Sequence, residues 1–184
     1  MIGSVRRIGL IGGECSGKST LAEDLGQSLP ACVVGEHLRV FVEQSHRNPL
    51  AHEQRAIMTT QHIAEDAAAT GCPFGTVITD SAPLMIAVYS QFYFGDSSLL
   101  NDAVAWSRNY DLVLWCDIDM PWHPDGIQRD GPQVRAAEHE LIANIVRTHL
   151  QPAGVPVQLV SGSRHARAVA AARAWRLLGL GEPT

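Results

Sequence analysis

This 184-residue sequence has no long apolar segment, no closely spaced C-x-x-C cysteine pair and no excess of positive charge. The longest apolar runs are far shorter than the roughly 20 residues that a membrane-spanning helix needs, so no membrane partner is expected. The 14 basic residues are outnumbered by 19 acidic residues, which gives a net charge of −5 and leaves no basic stripe for a nucleic acid backbone. The composition therefore predicts no membrane and no nucleic acid among the partners.

Motifs for zinc and for export are absent as well. The four cysteines form no C-x-x-C pair and the eight histidines form no H-E-x-x-H pair, so a zinc site is not expected. Cys32 and Cys116 lie in apolar, strand-like runs and are predicted to be buried thiols. Residues 1–4 lack the charged and apolar regions of a signal peptide, which predicts a cytoplasmic protein.

The most informative segment that is present is a Walker A motif, in which four residues separate Gly12 from Gly17-Lys18-Ser19. In this motif the backbone N–H groups surround a polyphosphate, the lysine contacts the β- and γ-phosphates, and the serine hydroxyl ligates Mg²⁺. A predicted strand precedes the motif and a predicted helix follows it, which is the context that it requires. We therefore predict ATP and Mg²⁺ as ligands. The ATP-binding residues predicted in this segment are Gly12, Gly13, Glu14, Cys15, Ser16, Gly17, Lys18, Ser19 and Thr20.

Short apolar runs alternate with helical segments along the whole chain. The predicted strands are 5–11, 31–34, 75–79, 111–116 and 156–160, and the predicted helices are 18–29, 36–45, 52–70, 83–94, 98–107, 134–150 and 164–178. This alternation predicts an α/β fold, a P-loop NTPase with a five-stranded parallel sheet and helices on both faces. No linker or repeat interrupts the pattern, so we predict one domain over residues 1–184.

Polar residues follow the predicted strands, at the edge of the sheet where open α/β folds bind their ligands. Glu36 follows the second strand and Asp80 ends the third, in a run typical of a Walker B strand. A phosphoryl-transfer enzyme needs one carboxylate near Mg²⁺ and another that takes the proton of the acceptor. The sequence does not decide whether Glu36 or Asp80 is the general base. Ser19 and Asp80 are the predicted metal ligands. Ser161 and Arg164, which follow the fifth strand, are predicted to contact ATP.

A Pro- and Gly-rich segment at about 120–133 follows the fourth strand and is predicted to be a lid loop over the active site. Arg129 and Arg135 are predicted to move onto the transferring phosphates. Trp122 offers a flat face for an aromatic ring, and Asp125 offers an acceptor for sugar hydroxyls. The chain has neither the N-K-x-D motif of GTPases nor a second region of the AAA type.

The motifs together resemble the ribosylnicotinamide (nicotinamide riboside) kinase domain of bacterial bifunctional NAD-biosynthesis regulators and related stand-alone P-loop kinases. Four segments carry the resemblance: residues 12–21, Glu36 with Arg39, residues 79–81, and the D-x-D-x-P-W-x-x-D-G-x-x-R run at 117–129. The resemblance implies a nucleoside-kinase-like fold and transfer of the γ-phosphate of ATP to the 5′-hydroxyl of nicotinamide riboside, which gives the mononucleotide. The predicted catalytic residues are Lys18, Glu36, Asp80, Arg129 and Arg135. The predicted substrate-binding residues are Glu36, Arg39, Asp80, Tyr89, Trp122 and Asp125.

Two alternatives stay open. Many members of that family carry an acidic residue where this chain has Ala82, which leaves the acceptor undecided. The first is a P-loop kinase for another nucleoside or nucleotide acceptor. The second is a non-catalytic ATP-binding module with a regulatory role. The sequence leaves the oligomeric state and the adenine-binding residues open.

Overall fold

The computed structural model describes residues 5–123 and 131–179, which form a five-stranded parallel sheet between helices. The strands are β1 (Arg6–Ile11), β2 (Cys32–Val34), β3 (Thr76–Thr79), β4 (Leu112–Cys116) and β5 (Val157–Val160), in the order β2-β3-β1-β4-β5. The helices are α1 (Lys18–Ser28), α2 (His37–Ser45), α3 (Gln54–Gly71), α4 (Leu84–Phe94), α5 (Leu100–Ser107), α6 (Pro132–Ile145) and α7 (Arg164–Leu177). A 3₁₀ turn at Ala51–Glu53 precedes α3, and a π-helical turn at Val146–Leu150 follows α6. In the described ranges, no helix combines the length and the apolar character that crossing a membrane requires.

Separate apolar cores lie on the two faces of the sheet. On one face, α1 and α7 pack against the strands through residues such as Leu25 and Trp175. On the other face, α3 to α6 pack through residues such as Met58, Met85 and Ile142. Because both faces are covered, the strands are nearly continuous apolar runs, and this is why the sequence alone could identify them. The predicted fold class is confirmed.

The strand order brings the carboxyl ends of β1, β2 and β3 to one edge of the sheet. All of the strand pairs are parallel, with Gly9 opposite Thr79 and Thr79 opposite Val34. The Asp80 N–H then donates to the Val34 carbonyl at 2.9 Å, just beyond the regular ladder. The phosphate loop, Glu36 and Asp80 therefore emerge side by side, as the positions of the predicted strands required.

Cys32 is not the buried thiol that the sequence predicted. It is half-buried on the edge strand β2 and forms a disulfide with Cys72, which follows α3, with 5.9 Å between the Cα atoms. The partners are 40 residues apart, and such a pairing depends on tertiary packing that no local pattern records. The bond gives no support to the predicted cytoplasmic location, since disulfides persist mainly in oxidising compartments. Cys116 is buried and free, as predicted.

Glu65 makes the stability of the fold depend on pH. Its carboxylate is 2% exposed and accepts the Tyr110 hydroxyl at 2.8 Å, and burial raises its pKa from 4.5 to about 8. Between these two pH values the folded state holds a proton that the unfolded state has released, so the free energy of unfolding should fall as pH rises. The limiting slope is roughly 1.4 kcal/mol per pH unit.

Glu65→Gln should remove this pH dependence, because glutamine keeps an acceptor for Tyr110 and carries no titrating proton. Urea unfolding from pH 5 to pH 8 measures the effect as the difference between the two proteins. Parallel stability curves would show that Glu65 does not hold its proton in the folded state.

Candidate active site

The phosphate loop, residues 12–19, needs glycine at two positions. Gly12 has φ 151°, and a Cβ there would lie 2.6 Å from Ser16 Oγ and 2.9 Å from the Cys116 carbonyl oxygen. Gly17 has φ 83°, which side chains rarely tolerate. α1 begins directly after it, with no side chain capping its first N–H groups. These N–H groups and the helix dipole are therefore available to an anion.

Lys18 lies inside this loop. Its side chain is only 9% exposed, and Nζ donates to the carbonyl oxygens of Gly12 and Gly13 at 2.8 and 3.1 Å. The positive charge of Lys18 is therefore held next to the first two residues of the phosphate loop. Ser19 and Thr20 are half-buried in the first turn of α1, next to this ammonium group along the chain.

Glu36 and Asp80 belong to the same electrostatic environment as Lys18. Burial raises the pKa of Glu36, the nearby Lys18 charge lowers it, and the Asp80 charge raises it again. Glu36 precedes α2, but its side chain makes no capping hydrogen bond, so the side chain does not stabilise the start of the helix. Asp80 is 8% exposed, and its Oδ1 has no hydrogen-bond partner among the described residues.

A pocket of about 430 Å³ opens beside the phosphate loop. Of the predicted substrate-binding residues, Glu36, Arg39 and Tyr89 line it, together with Lys18 of the loop. Asp80 does not line it. The full set of lining residues is Glu14, Cys15, Lys18, Glu36, Leu38, Arg39, Val42, Asn48, Pro49, Leu50, Gln54, Tyr89, Tyr93 and Phe94. Its size suits a small-molecule substrate.

Gln61, on α3, fixes the backbone of the segment that contains Glu36. This residue was not predicted from the sequence. Gln61 is 2% exposed, and its amide accepts from the His37 N–H at 2.6 Å and donates to the Gly35 carbonyl at 3.2 Å. One amide therefore fixes the backbone on both sides of Glu36. A glutamine inside an amphipathic helix gives no sequence signal for such a role.

Two further buried charged residues position the phosphate loop, and neither was predicted from the sequence. Arg167 of α7 is 2% exposed and donates to the carbonyl oxygens of Ser16, Asp117 and Gly162 at 2.7, 3.0 and 2.9 Å, and it pairs with Asp119. Glu138 of α6 is fully buried and accepts the Glu14 N–H at 3.2 Å and the Tyr93 hydroxyl at 3.2 Å. They tie the loop to the ends of β4 and β5 and to α6.

The lid predicted at about 120–133 is described only in part. Arg135 is buried and donates to the carbonyl oxygens of Cys15 and Met120 at 3.4 and 2.9 Å, so it already contacts the phosphate loop. Trp122 is half-buried and is not among the residues that line the pocket. Arg129 and Asp125 lie outside the described residues.

The predicted ATP contacts after β5 lie on the other side of the loop. Arg164 borders a narrow cleft with Gly17 and Thr20, where it pairs with Asp24 at 2.5 and 2.8 Å. Ser161 is exposed and does not border that cleft. Of the two, Arg164 is therefore the one placed beside the predicted nucleotide site.

The residues present fit a magnesium ion that is held partly by phosphate. The described residues contain no cluster of three or more His, Cys, Asp or Glu side chains of the kind that binds a metal by itself. Magnesium with a nucleotide needs only one or two protein ligands, because phosphate oxygens and water complete its coordination. The unpartnered Oδ1 of Asp80 and the hydroxyl of Ser19 are groups of the required type.

Cys15 is the thiol best placed to report on nucleotide binding. It is half-buried in the phosphate loop, while Cys116 is buried and the other two cysteines are bonded to each other. The folded protein should therefore react with one equivalent of a maleimide, and MgATP should slow that reaction by covering the loop. Mass spectrometry of the labelled peptides measures both effects. Equal labelling rates with and without MgATP would contradict this prediction.

Comparison with known proteins places this geometry in a known fold. The family described as AAA domain matches residues 7–167. None of the curated proteins matches the chain.

Solved structures with the same fold include two of NadR. NadR in complex with NR has a TM-score of 0.69 and 18% identity over 94% of this chain and 52% of that chain. NadR in complex with NAD and AMP-PNP has a TM-score of 0.72 and 18% identity over 98% of this chain and 51% of that chain. This chain thus spans about half the length of the NadR chains.

Deoxyadenosine kinase from M. mycoides with bound dATP shares the fold over its whole length. It has a TM-score of 0.62 and 12% identity over 91% of this chain and 98% of that chain. The predicted resemblance to the ribosylnicotinamide kinase family is confirmed in the fold. Because the family model matches residues 7–167, which is most of the chain, the chain belongs to the family described as AAA domain.

Proposed function

We propose that the protein is an ATP-dependent kinase that phosphorylates the 5′-hydroxyl of nicotinamide riboside to give nicotinamide mononucleotide. The observation that carries the proposal is the pocket of about 430 Å³, which joins the phosphate loop to Glu36 and to aromatic side chains of α4. A NadR structure that binds NR has the same fold, which supports this choice of acceptor.

The lining of the pocket suits a positively charged aromatic ring. The nicotinamide ring of the riboside is a pyridinium cation. Tyr89, Tyr93 and Phe94 provide aromatic rings for it, and Glu14 and Glu36 provide negative charge. A cation over an aromatic face gains about 0.5–2 kcal/mol, and the larger values apply when water is excluded. Burial raises the pKa of Tyr89, so this phenol stays neutral in contact with the ring.

Glu36 is the residue that we propose as general base. The 5′-oxygen of the riboside attacks the γ-phosphorus, the bond to the β,γ-bridging oxygen breaks, and ADP leaves. The proton of the hydroxyl passes to Glu36. Burial raises the pKa of this carboxyl, which makes it a stronger base than an exposed glutamate.

Lys18, Ser19 and Asp80 would hold the reacting phosphates and the metal. Lys18 would exchange the carbonyl oxygens of Gly12 and Gly13 for phosphate oxygens when the nucleotide binds. Ser19 and Asp80 are the groups that would hold Mg²⁺, directly or through water. When bound, the metal neutralises charge on the phosphates. Arg135 lies beside the loop and is proposed to act on the phosphates from the α6 side.

The test is phosphorylation of a defined panel of acceptors with MgATP. Nicotinamide riboside should give the mononucleotide, read by mass spectrometry, with one ADP released for each product. Nucleotide binding without ADP release for any acceptor would favour the non-catalytic ATP-binding module instead.

A second candidate is a kinase for deoxynucleosides. The fold shared with nearly the whole of M. mycoides deoxyadenosine kinase favours it. Deoxyadenosine and deoxycytidine therefore belong in the same panel. Turnover of these two without turnover of nicotinamide riboside would replace the first proposal by the second.

A further inference from the structure

Gln54 is a buried wall residue of the pocket with an unsatisfied polar atom. It is the first residue of α3 and is 3% exposed, and its Oε1 has no hydrogen-bond partner in the described part of the chain. Of the residues there with such a buried, unpartnered side-chain atom, it is the one that also lines the pocket. A buried amide oxygen without a donor is destabilising, and an N–H group of a bound ligand would remove that cost.

The backbone around Gln54 is held without the help of its amide. Arg47 donates to both carboxylate oxygens of Glu53 at 2.7 Å, and the Leu50 N–H donates to Glu53 at 2.8 Å. Arg47 also lies 5.3 Å from the centre of the Phe41 ring. These contacts fix the 3₁₀ turn immediately before α3. The side chain of Gln54 is therefore not needed for the turn and remains available to a ligand.

A second carboxamide, that of Asn48, lines the same pocket as Gln54. Asn48, Pro49 and Leu50 line the pocket just before the turn, whereas Lys18 and Glu36 line it beside the phosphate loop. If the acceptor hydroxyl binds at Glu36, as proposed above, the sugar would lie near the loop and the ring would extend toward the lining residues away from it. In that orientation the amide of Gln54 would meet the edge of the ring and not the reacting oxygen.

From these observations we infer that Gln54 is a specificity-determining residue, which recognises an amide or amino N–H group at the edge of the acceptor ring. The inference rests on the proposed function. A carboxamide is the complementary group, since it gives an N–H to Oε1 and an oxygen to Nε2. Nicotinamide riboside carries this carboxamide. Nicotinic acid riboside carries a carboxylate, which has no hydrogen to donate.

The test compares kcat/KM for these two ribosides in three proteins. The wild type should prefer nicotinamide riboside by roughly ten- to a hundredfold, the range expected when a buried group loses its partner. Gln54→Leu should lower kcat/KM for nicotinamide riboside. The ratio of kcat/KM for nicotinamide riboside to kcat/KM for nicotinic acid riboside should then be close to one, with the KM for ATP unchanged. Gln54→Glu keeps an acceptor and adds a negative charge, so its ratio should be at least as large as in the wild type. A structural role alone would not separate leucine from glutamate in this way.

Gln91→Leu is the matched control. Gln91 lies on α4 and also has a buried Oε1 without a partner among the described residues, but it does not line the pocket. Its replacement should leave the ratio at the wild-type value, and thermal melting shows whether each variant is folded. A ratio that is unchanged in Gln54→Leu, or that shifts equally in Gln91→Leu, would overturn the inference.

A further pair of acceptors separates this inference from the proposed function. If the wild type phosphorylates neither riboside, the proposed function fails, and deoxyadenosine is compared with purine 2′-deoxyriboside, which lacks the amino group. A preference for deoxyadenosine over purine 2′-deoxyriboside that disappears in Gln54→Leu would support the inference on its own. An equal change of kcat/KM for these two nucleosides in Gln54→Leu would overturn it. If no acceptor turns over, dissociation constants of the same pairs with AMP-PNP present replace kcat/KM, with the same two outcomes.

Discussion

Lys18→Ala is expected to lower kcat by roughly a hundred- to a thousandfold or more, the cost of removing one positioned group that stabilises charge in the transition state. Lys18 is 9% exposed and its ammonium group is bonded to carbonyl oxygens of the loop, so no solvent cation replaces it with the same geometry. The measurement is acceptor-dependent ADP release, with circular dichroism to establish that the variant is folded. Near-normal turnover in the folded variant would contradict the Walker A interpretation.

The sequence supplies an independent control for this experiment, because Lys18 is its only lysine. An amine-directed reagent can therefore react with the folded wild type only at Lys18 and at the α-amino group. MgATP should protect the first site and not the second. Protection that is equal at both sites would mean that the nucleotide does not cover Lys18, whatever the activity of the variant.

The fold was predictable because its signals are local. Each strand is a short apolar run, and each following helix begins with residues that favour a turn, so the alternation could be read without tertiary information. The Walker A motif is local too, since its glycines, lysine and serine act through adjacent backbone groups. The helix predicted at 134–150 was found as α6 (Pro132–Ile145) followed by a π-helical turn at Val146–Leu150.

The support of the site was not predictable in the same way. Arg167 meets the phosphate loop across 151 residues of sequence, and Glu138 meets it across 124. Both are charged residues on helices that also carry exposed charged residues, such as Glu140 on α6 and Arg173 on α7, so the residue type alone does not mark them as buried. Their burial is decided by which helix packs beside the loop, and a periodic pattern does not contain that information.

The aromatic wall of the pocket shows the same limit. The sequence suggested Trp122, in the predicted lid loop, as the flat face for an aromatic ring. In the structure the predicted Tyr89 lines the pocket from α4. Tyr93 and Phe94 of the same helix, which the sequence did not single out, line it as well, because α4 has the pattern of an apolar core helix. A helix that is buried along most of its length can still present its last turn to a ligand.

Glu36→Gln is expected to lower kcat by roughly a hundred- to ten-thousandfold, the contribution of a positioned general base. Glutamine has nearly the same shape, and Gln61 still holds the backbone on both sides, so the KM for ATP should stay near the wild-type value. Burial raises the pKa of Glu36 above 4.5, so the activity of the wild type should decline as pH falls through that raised value. The acidic limb of the pH–rate profile should then be missing from the variant.

Asp80→Asn is the matched comparison, because it removes the other carboxylate of the same environment. If Asp80 holds the metal, this variant should need a higher Mg²⁺ concentration for half-maximal rate and keep the acidic limb of the wild type. Glu36→Gln should show the reverse, with an unchanged Mg²⁺ requirement. Exchange of these two phenotypes would assign the base to Asp80 and the metal to Glu36. An unchanged rate and an unchanged pH–rate profile in Glu36→Gln would show that Glu36 takes no part in the proton transfer. The half-buried carboxylate of Glu36, which makes no capping hydrogen bond to α2, would then have no function that the structure explains.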